Sequence, residues 1–222
     1  MDKTSGFDKG LKEIQDKVLT MGDLVGKEIS RSIEALKARD IKTAHKIIAD
    51  DSKIDDMRFS IEDKCIDLMG IPKLTEDERR VIVAVLSIST ELERIGDYGE
   101  GIAKIVVMIG DEPPLKPLID IPRMADMTVE MINKSLKSFV NRDVELARHV
   151  GTMDSSIDGL YDQVFRELLT FMMVDPKTIN RATRLIWVAH NLERAADRVT
   201  NICERVVFTV TGKMEDLEVS KY

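Results

Sequence analysis

The chain has 222 residues, enough for one large domain or two small ones with a sizeable core. Glycine and proline are scarce, at 12 and 6 residues, and helix breakers this rare favour long helices. The 33 basic and 40 acidic side chains leave a net charge of −7, which repels a phosphate backbone, so nucleic acid is excluded as an expected partner.

Hydrophobic periodicity and the positions of proline predict six long helices, three in each half of the chain. Pro72 and Pro176 fall between the second and third helix of each half, and four prolines crowd residues 113–122 between the halves. Proline interrupts helices, so these positions mark the joints. The predicted helices cover residues 6–39, 41–70, 75–111, 120–141, 143–173 and 177–212.

Four of these helices carry a seam of mostly apolar residues at alternating steps of four and three. In the third helix the seam runs through Val81, Val85, Ile88, Leu92, Ile95, Gly99, Ile102, Val106 and Ile109. Similar seams run from Ala44 to Leu68, from Ala147 to Phe171 and from Leu185 to Val206. A sustained period of 3.5 residues indicates left-handed packing of the bundle type.

The two halves are copies of one unit. A shift of 103 residues superposes Arg39-Asp40 on Arg142-Asp143 and Asp51 on Asp154, and a shift of 100 superposes Leu92-Glu93-Arg94 on Leu192-Glu193-Arg194. Such self-similarity indicates duplication. We therefore predict an all-α fold of two tandem, sequence-related three-helix bundles, residues 1–112 and 113–222. A pseudo-twofold axis or a translation would relate them, with residues 113–122 as the joint.

An aspartate lies on the seam at the same place in both copies, Asp51 and Asp154. Removing a carboxylate from water costs several kcal/mol unless a cation or good donors meet it. Acids four residues apart on a helix share a face, so two such pairs per half can converge. The predicted clusters are Asp51, Asp55, Glu93 and Asp97 in the first half, and Asp154, Asp158, Glu193 and Asp197 in the second.

Two interpretations of these acids stay open from the residues alone. Clustered carboxylates repel one another, and divalent or trivalent metal ions accept such all-oxygen sites. Arginines close in sequence, Arg58, Arg94, Arg194 and Arg198, can instead neutralise the acids as ordinary ion pairs. His190 lies three residues before Glu193 on the same helical face and is an additional candidate ligand.

Several segments together resemble the PhoU family. They are Glu91-Leu92-Glu93-Arg94-Ile95-Gly96-Asp97, its copy Asn191-Leu192-Glu193-Arg194-Ala195-Ala196-Asp197, and the runs Asn201-Ile202-Cys203-Glu204, Thr20-Met21-Gly22 and Leu169-Thr170-Phe171-Met172-Met173. The resemblance implies two tandem three-helix bundles with multinuclear iron or zinc clusters on the acidic motifs. The first copy departs from the family pattern at Gly101, where the second copy has Asn201.

The resemblance also implies a regulatory role in phosphate uptake and phosphate-starvation signalling. The expected partners are the cytoplasmic ATPase of a phosphate ABC transporter, a sensor histidine kinase and a second copy of the chain. The N-terminal MDKTSGFDKG has no apolar signal core, and only Cys65 and Cys203 occur, so we expect a cytoplasmic protein. The longest apolar run, from Val81 to Leu86, is too short for direct membrane insertion.

An enzymatic role is the alternative. The chain lacks a Ser/His/Asp or Cys/His set, a Walker loop and a dinucleotide fingerprint, and none of its three histidines follows a glutamate by three residues as in ferritin-like di-iron sites. We therefore expect no enzyme and no catalytic residues. A metal-dependent phosphohydrolase or a metal-storage bundle remains the second hypothesis.

Overall fold

The computed structural model describes the backbone of residues 3–217 and the side chains of residues 6–217. Within this range the chain is helical and contains no strand, which confirms the predicted all-α class. The helices are α1 (Lys3–Ala38), α2 (Ile41–Asp50), α3 (Ser52–Met69), α4 (Glu76–Ile109), α5 (Asp120–Asn141), α6 (Val144–Val174) and α7 (Ile179–Thr211), with a 3₁₀ turn at Pro176–Thr178. None of the helices described here combines the length and apolar character needed to cross a bilayer.

The helix predicted over residues 41–70 is interrupted at Asp51, which separates α2 from α3. Asp51 keeps right-handed helical angles (φ −57°, ψ −36°), and its carbonyl accepts a short-range bond from the N–H of Ile54, at 2.8 Å. The equivalent Asp154 lies inside the unbroken helix α6. The interruption is therefore a feature of the first copy and not of the repeated unit.

The turn after the first helix is the same in both copies. Arg39 and Arg142 have left-handed backbone angles, φ 56° and 53°, which end α1 and α5. Asp40 and Asp143 then begin α2 and α6, because each carboxylate accepts a hydrogen bond at 2.9 Å from the backbone N–H three residues later. The repeated Arg-Asp dipeptide therefore forms the same helix-to-helix turn in both halves.

Each half packs as a bundle around its predicted seams, which confirms the two three-helix bundles. Helices α1, α2, α3 and α4 contact one another, as do α5, α6 and α7. Apart from Ile109 at its end, the α4 seam is buried. Apolar side chains of both halves join in one continuous core. A division between residues 112 and 113 therefore stays a prediction, and the outermost residues of the two ranges, 1–2 and 218–222, lie outside the described part.

Helices α4 and α7 pack antiparallel and reveal how the two halves are related. Asn201 Nδ2 donates to Glu91 Oε2 at 3.3 Å, and a Cβ atom at Gly101 would lie 3.5 Å from Asn191 Nδ2. Positions 91 and 191 are equivalent in the repeat, as are 101 and 201. A rotation that swaps the two halves also swaps these two contacts. The halves are therefore related by a pseudo-twofold axis and not by a translation.

Helices α1 and α5 form a second antiparallel contact between the halves, and glycines on α1 allow it. Gly22 lies directly against the Leu136 side chain, which leaves no room for a Cβ atom, and a Cβ atom at Gly26 would be 3.5 Å from Val129 Cγ1. Leu136 is 3% exposed. Close approach of the two backbones therefore depends on the absence of a side chain at position 22.

We expect Gly22→Val to lower the free energy of unfolding by about 1–3 kcal/mol more than Gly159→Val, because overpacking of a tight core costs that much. Gly159 is the matched control, since it also lies within a long helix but has nothing within 4 Å of its Cβ position. Both variants carry the same change in helix propensity, since valine replaces glycine inside a helix in each. Urea denaturation followed by circular dichroism measures the difference, and equal losses for the two variants would contradict this account of the interface.

Candidate metal centre

One group of three carboxylates in residues 6–217 brings its oxygens within 4.8 Å of one another: Asp51, Asp97 and Glu100. Asp51 lies at the junction of α2 and α3, and the other two lie one turn apart on the facing side of α4. Asp51 and Asp97 are predicted site residues, whereas Glu100 is not. Its position three residues after Asp97 is the sequence signal for it.

Asp55 and Glu93, the other two acids predicted for the first half, adjoin this group. Burial is the largest cause of the raised pKa values of Asp51, Asp97 and Glu93. The charge of Asp55 adds to the shift at all three, and the charge of Asp97 adds to the shift at Glu93. Glu93 Oε1 lies 3.9 Å from Arg58 Nε, so this acid has a cation nearby. The structure thus brings the four predicted acids of the first half together, with Glu93 at the end that an arginine partly neutralises.

Glu28 of α1 is a sixth acid near these carboxylates. Its side chain is 6% exposed, and its Oε1 is buried without a hydrogen-bond partner. Asp51 and Glu100 are the two charges that act on it most strongly. The heptad spacing of Met21, Val25 and Glu28 places this glutamate on a seam of α1, which is the sequence signal for it, although it is not among the predicted site residues. We name Glu28, Asp51, Asp55, Glu93, Asp97 and Glu100 the first acidic cluster.

Burial and mutual repulsion make these carboxylates hold protons unusually strongly. Desolvation, followed by the charges of Asp51 and Glu100, raises the pKa of Glu28 to about 8. Desolvation, followed by the charge of Glu100, raises the pKa of Asp51 to about 6. Desolvation is also the largest cause of the raised pKa values of Glu93 and Asp97. Within residues 6–217, the positive charge beside the cluster is therefore too small to offset its carboxylates.

In the second half, Asp197 and Asp158 lie near enough to Glu193 for their charges to raise its pKa after burial, but no three of the predicted acids described there bring oxygens within 4.8 Å of one another. Arg194 Nη1 lies 2.5 Å from Asp197 Oδ2, and His190 Nδ1 lies 3.3 Å from Glu193 Oε2. Arg198 also lowers the pKa of Asp197, against the desolvation that raises it. Burial, followed by the charge of Asp197, raises the pKa of Glu193 to about 7. We name Asp154, Asp158, Glu193 and Asp197 the second acidic cluster.

Arg94 and Arg194 are equivalent residues with different partners. Arg194 binds Asp197, whereas Arg94 Nη1 lies 3.1 Å from Glu91 Oε1, away from Asp97. Arg198 Nη1 also lies near this glutamate, 3.6 Å from Glu91 Oε2. The salt-bridge interpretation therefore describes Asp197 of the second cluster, whereas Glu193 keeps a raised pKa. That interpretation leaves most of the first cluster uncompensated.

The chemistry of the first acidic cluster fits a metal ion. All its donors are carboxylate oxygens, the ligands preferred by hard divalent cations. The buried Glu28 Oε1, which has no partner in the described chain, is the kind of atom that a cation satisfies. The second acidic cluster offers carboxylates together with the His190 imidazole, which suits borderline ions such as zinc or iron.

We expect the cation-free protein to lose stability as the pH rises from about 4.5 to about 8. Over this range the unfolded chain releases the Glu28 proton, whose pKa is 4.5 when unperturbed, while the folded chain retains it with a pKa of about 8. The folded state therefore binds more protons, and rising pH favours unfolding. Asp51 acts in the same direction between its ordinary pKa of 3.8 and about 6. Arg31 opposes the shift of Glu28, whereas Asp50, Asp51 and Glu100 reinforce it.

Glu28→Gln should flatten this pH dependence, because the variant has no proton to lose at position 28. At pH 8 it should be more stable than the wild type by up to about 4 kcal/mol, at about 1.4 kcal/mol per pKa unit. At pH 4.5 the two should be nearly equal. Urea denaturation in a chelating buffer measures both, and Glu34→Gln, an exposed glutamate on the same helix, is the control. An unchanged slope in Glu28→Gln would contradict a protonated Glu28.

Comparison with known proteins links both halves to one family. The family model described as "PhoU domain" matches twice, over residues 18–106 and 121–206. The two matches include every acid of both clusters.

Curated relatives and solved structures agree with that match. The chain is 37% identical to a "Phosphate-specific transport system accessory protein PhoU homolog" of Clostridium acetobutylicum, over 95% of this chain and 97% of the relative. It is also 37% identical to a homolog of the same name from Aquifex aeolicus, over 84% of each. The crystal structure of PhoU from Pseudomonas aeruginosa superposes with a TM-score of 0.88 at 28% identity, covering 93% of this chain and all of that one. The phosphate transport system regulatory protein PhoU from Streptococcus pneumoniae gives 0.87 at 30% identity, covering 95% and 99%.

Proposed function

This chain belongs to the PhoU family, and we propose that it is an accessory protein that regulates phosphate uptake and phosphate-starvation signalling. The observation that carries the proposal is the match of the family model to both repeats. Support comes from relatives named as accessory proteins of the phosphate-specific transport system, which align over most of both lengths. Their names describe accessory proteins and not enzymes, so we propose a role by binding.

The proposed partners are the cytoplasmic ATPase of a phosphate ABC transporter and the cytoplasmic part of a sensor histidine kinase. The proposed location is the cytoplasm, and the proposed assembly is a homodimer. Net charge of −7 supports docking of this acidic chain on basic faces, because complementary charge guides association. Exposed apolar side chains such as Met173 and Trp187, at 78% and 49% exposure, offer contact area for partners.

We propose that metal ions, iron or zinc by family resemblance, bind at both acidic clusters. The proposed ligands of the first half are Asp51, Asp55, Glu93 and Asp97, and those of the second are Asp154, Asp158, Glu193 and Asp197. Support comes from the convergence of Asp51 and Asp97 with Glu100 and from the raised pKa of the partly buried Glu193. A bound ion would neutralise carboxylates that otherwise repel across α3 and α4, and so would hold those helices together.

A pull-down with the transporter ATPase and with the kinase domain tests the regulatory role. We expect retention at low salt that weakens as salt is added, since exposed charges are screened beyond a Debye length of about 8 Å at physiological ionic strength. We also expect a strain lacking the gene to express phosphate-starvation genes in phosphate-rich medium. If neither partner is retained and the deletion strain represses normally, the regulatory proposal is wrong.

The metal-loaded protein should not hydrolyse a generic phosphate ester, because a regulator needs no turnover. The measurement is release of p-nitrophenol from p-nitrophenyl phosphate by protein loaded with zinc, iron or manganese. An Asp51→Asn/Asp97→Asn variant controls for contaminating phosphatase. Turnover that disappears in this variant would support the metal-dependent phosphohydrolase instead.

A further inference from the structure

One face of the N-terminal turns of α7 combines an aromatic ring, a guanidinium group and two uncharged polar side chains. These residues are Asn180, Thr183, Arg184 and Trp187. Their spacing of three and four residues places them on the same side of the helix. Together with Met108 of α4 they line an open cavity of about 340 Å³. Ligand pockets commonly measure roughly 300–1,000 Å³, so the cavity is large enough for a small organic molecule.

Trp187 gives this cavity an aromatic surface. It is the only tryptophan of the chain, and it is 49% exposed. Met108, which lines the cavity from the neighbouring helix α4, is 55% exposed. Planar rings stack on exposed aromatic faces, and a flexible methionine adapts its shape to such a ring. The cavity therefore offers a place for the planar part of a ligand.

Arg184 gives the same cavity a cation whose hydrogen bonds are incomplete. Its Nη1 atom is buried and has no hydrogen-bond partner among residues 6–217. Glu112 Oε2 lies 3.6 Å from this atom, which is too far for a hydrogen bond. The Glu112 side chain is 49% exposed and free to turn into solvent, and that of Arg184 is 26% exposed. A phosphate or carboxylate that replaced Glu112 would give the guanidinium the acceptor it lacks.

The charges at this end of α7 favour an anion, although the chain as a whole is acidic. The first turn of α7 has no acidic residue, and the positive end of the helix dipole lies there. Lys177 and Arg181 belong to the same end, and Arg181 Nη1 donates to the carbonyl oxygen of Pro113 at 3.3 Å. Glu193 of the second acidic cluster lies nine residues beyond Arg184, about 13 Å along the helix axis. A bound anion is therefore held away from those acids.

The first half of the chain has neither the ring nor the cation. A shift of 100 residues places Ser87 opposite Trp187 and Ala84 opposite Arg184. Ala84 is fully buried, whereas Arg184 lines the cavity. The repeated unit thus packs in the first half without either side chain, so bundle packing does not explain their presence in the second.

We propose that this cavity binds a free nucleotide, with the base stacked on Trp187 and the phosphate bound by Arg184. Every base has a π-face, and proteins that bind bases without sequence preference pair aromatic stacking with positive charge at the phosphate. The face from Asn180 to Trp187 is about 10 Å long, which is about the length of a nucleoside monophosphate. This inference goes beyond the proposed accessory role, because it requires neither a protein partner nor a metal ion.

The emission of Trp187 tests the site directly, since no other tryptophan of the chain contributes. We expect AMP and GMP, each added to the full chain, to quench this emission saturably. Adenosine and inorganic phosphate should each bind at least about tenfold more weakly than AMP, because each makes only one of the two contacts. If neither nucleotide changes the emission and calorimetry detects no binding, the proposal is wrong.

Variants assign the two contacts to their residues. Arg184→Gln should weaken AMP binding by about tenfold or more while leaving adenosine binding unchanged, because it removes a charge-assisted contact to the phosphate. Trp187→Ser installs the residue of the equivalent place in the first half and should weaken AMP binding about tenfold in calorimetry. Arg205→Gln, near the other end of the same helix, is the matched control and should bind AMP as the wild type does. Circular dichroism and thermal melting confirm that each variant folds.

Other outcomes would overturn the assignment. If a folded Arg184→Gln variant binds AMP as tightly as the wild type, or adenosine binds as tightly as AMP, Arg184 does not hold a phosphate. If inorganic phosphate binds as tightly as AMP, the base makes no contact and the ligand is not a nucleotide. If nucleotides do not bind but Trp187→Ser reduces retention of the transporter ATPase or kinase domain, Trp187 belongs to a protein interface instead. Retention by the wild type decides the accessory role independently of all these results.

Discussion

Carboxylates held between packed helices are the constraint on which the rest of this structure depends. A buried carboxylate is tolerated only when it keeps a proton, meets a cation or accepts good hydrogen bonds. Asp154 and Asp197 are 2% and 8% exposed, and Glu28 is 6% exposed, so both halves face this requirement. The second half meets it in part with Arg194, which binds Asp197. In the first half, the equivalent Arg94 lies beside Glu91 instead. The acids of the first cluster therefore stay protonated or bind a cation from solution.

The pseudo-twofold arrangement explains how one repeated unit came to have two environments. Antiparallel packing of α4 on α7 places Glu91 near both Asn201 and Arg198 of the other half. At the symmetry-related position stands the uncharged Asn191, which faces Gly101. The departure of Gly101 from the family pattern is thus part of an asymmetric interface. Helix α4 carries Glu93 and Asp97 of the first cluster, and α7 carries Glu193 and Asp197 of the second. The helices that form the asymmetric interface are therefore the same ones that hold the two clusters.

The sequence was sufficient for the helices and seams but not for every member of the site. Apolar spacing located six helices, and duplication identified Asp51 and Asp97, because both are matched in the second copy. Glu100 lacked such a match, since Thr200 stands opposite it, and comparison of the copies therefore passed over it. Glu28 sits among the buried residues Met21, Val25 and Ser32 of α1, where the same seam spacing on the first helix indicates it. The choice between a pseudo-twofold and a translation depends on contacts between helices distant in sequence, which periodicity within one helix does not specify.

Helix α1 connects the first acidic cluster to the second half of the molecule. Gly22 and Gly26 bring α1 close to α5, and Glu28, two residues further along, enters the cluster from another side of the same helix. Packed helices move as rigid elements because their interiors are nearly close-packed. Repulsion among charged acids of the cluster opposes the packing of α1 on α4, and protons or a cation that neutralise the acids relieve it. The charge state of the cluster therefore bears on the packing of a helix that contacts both halves.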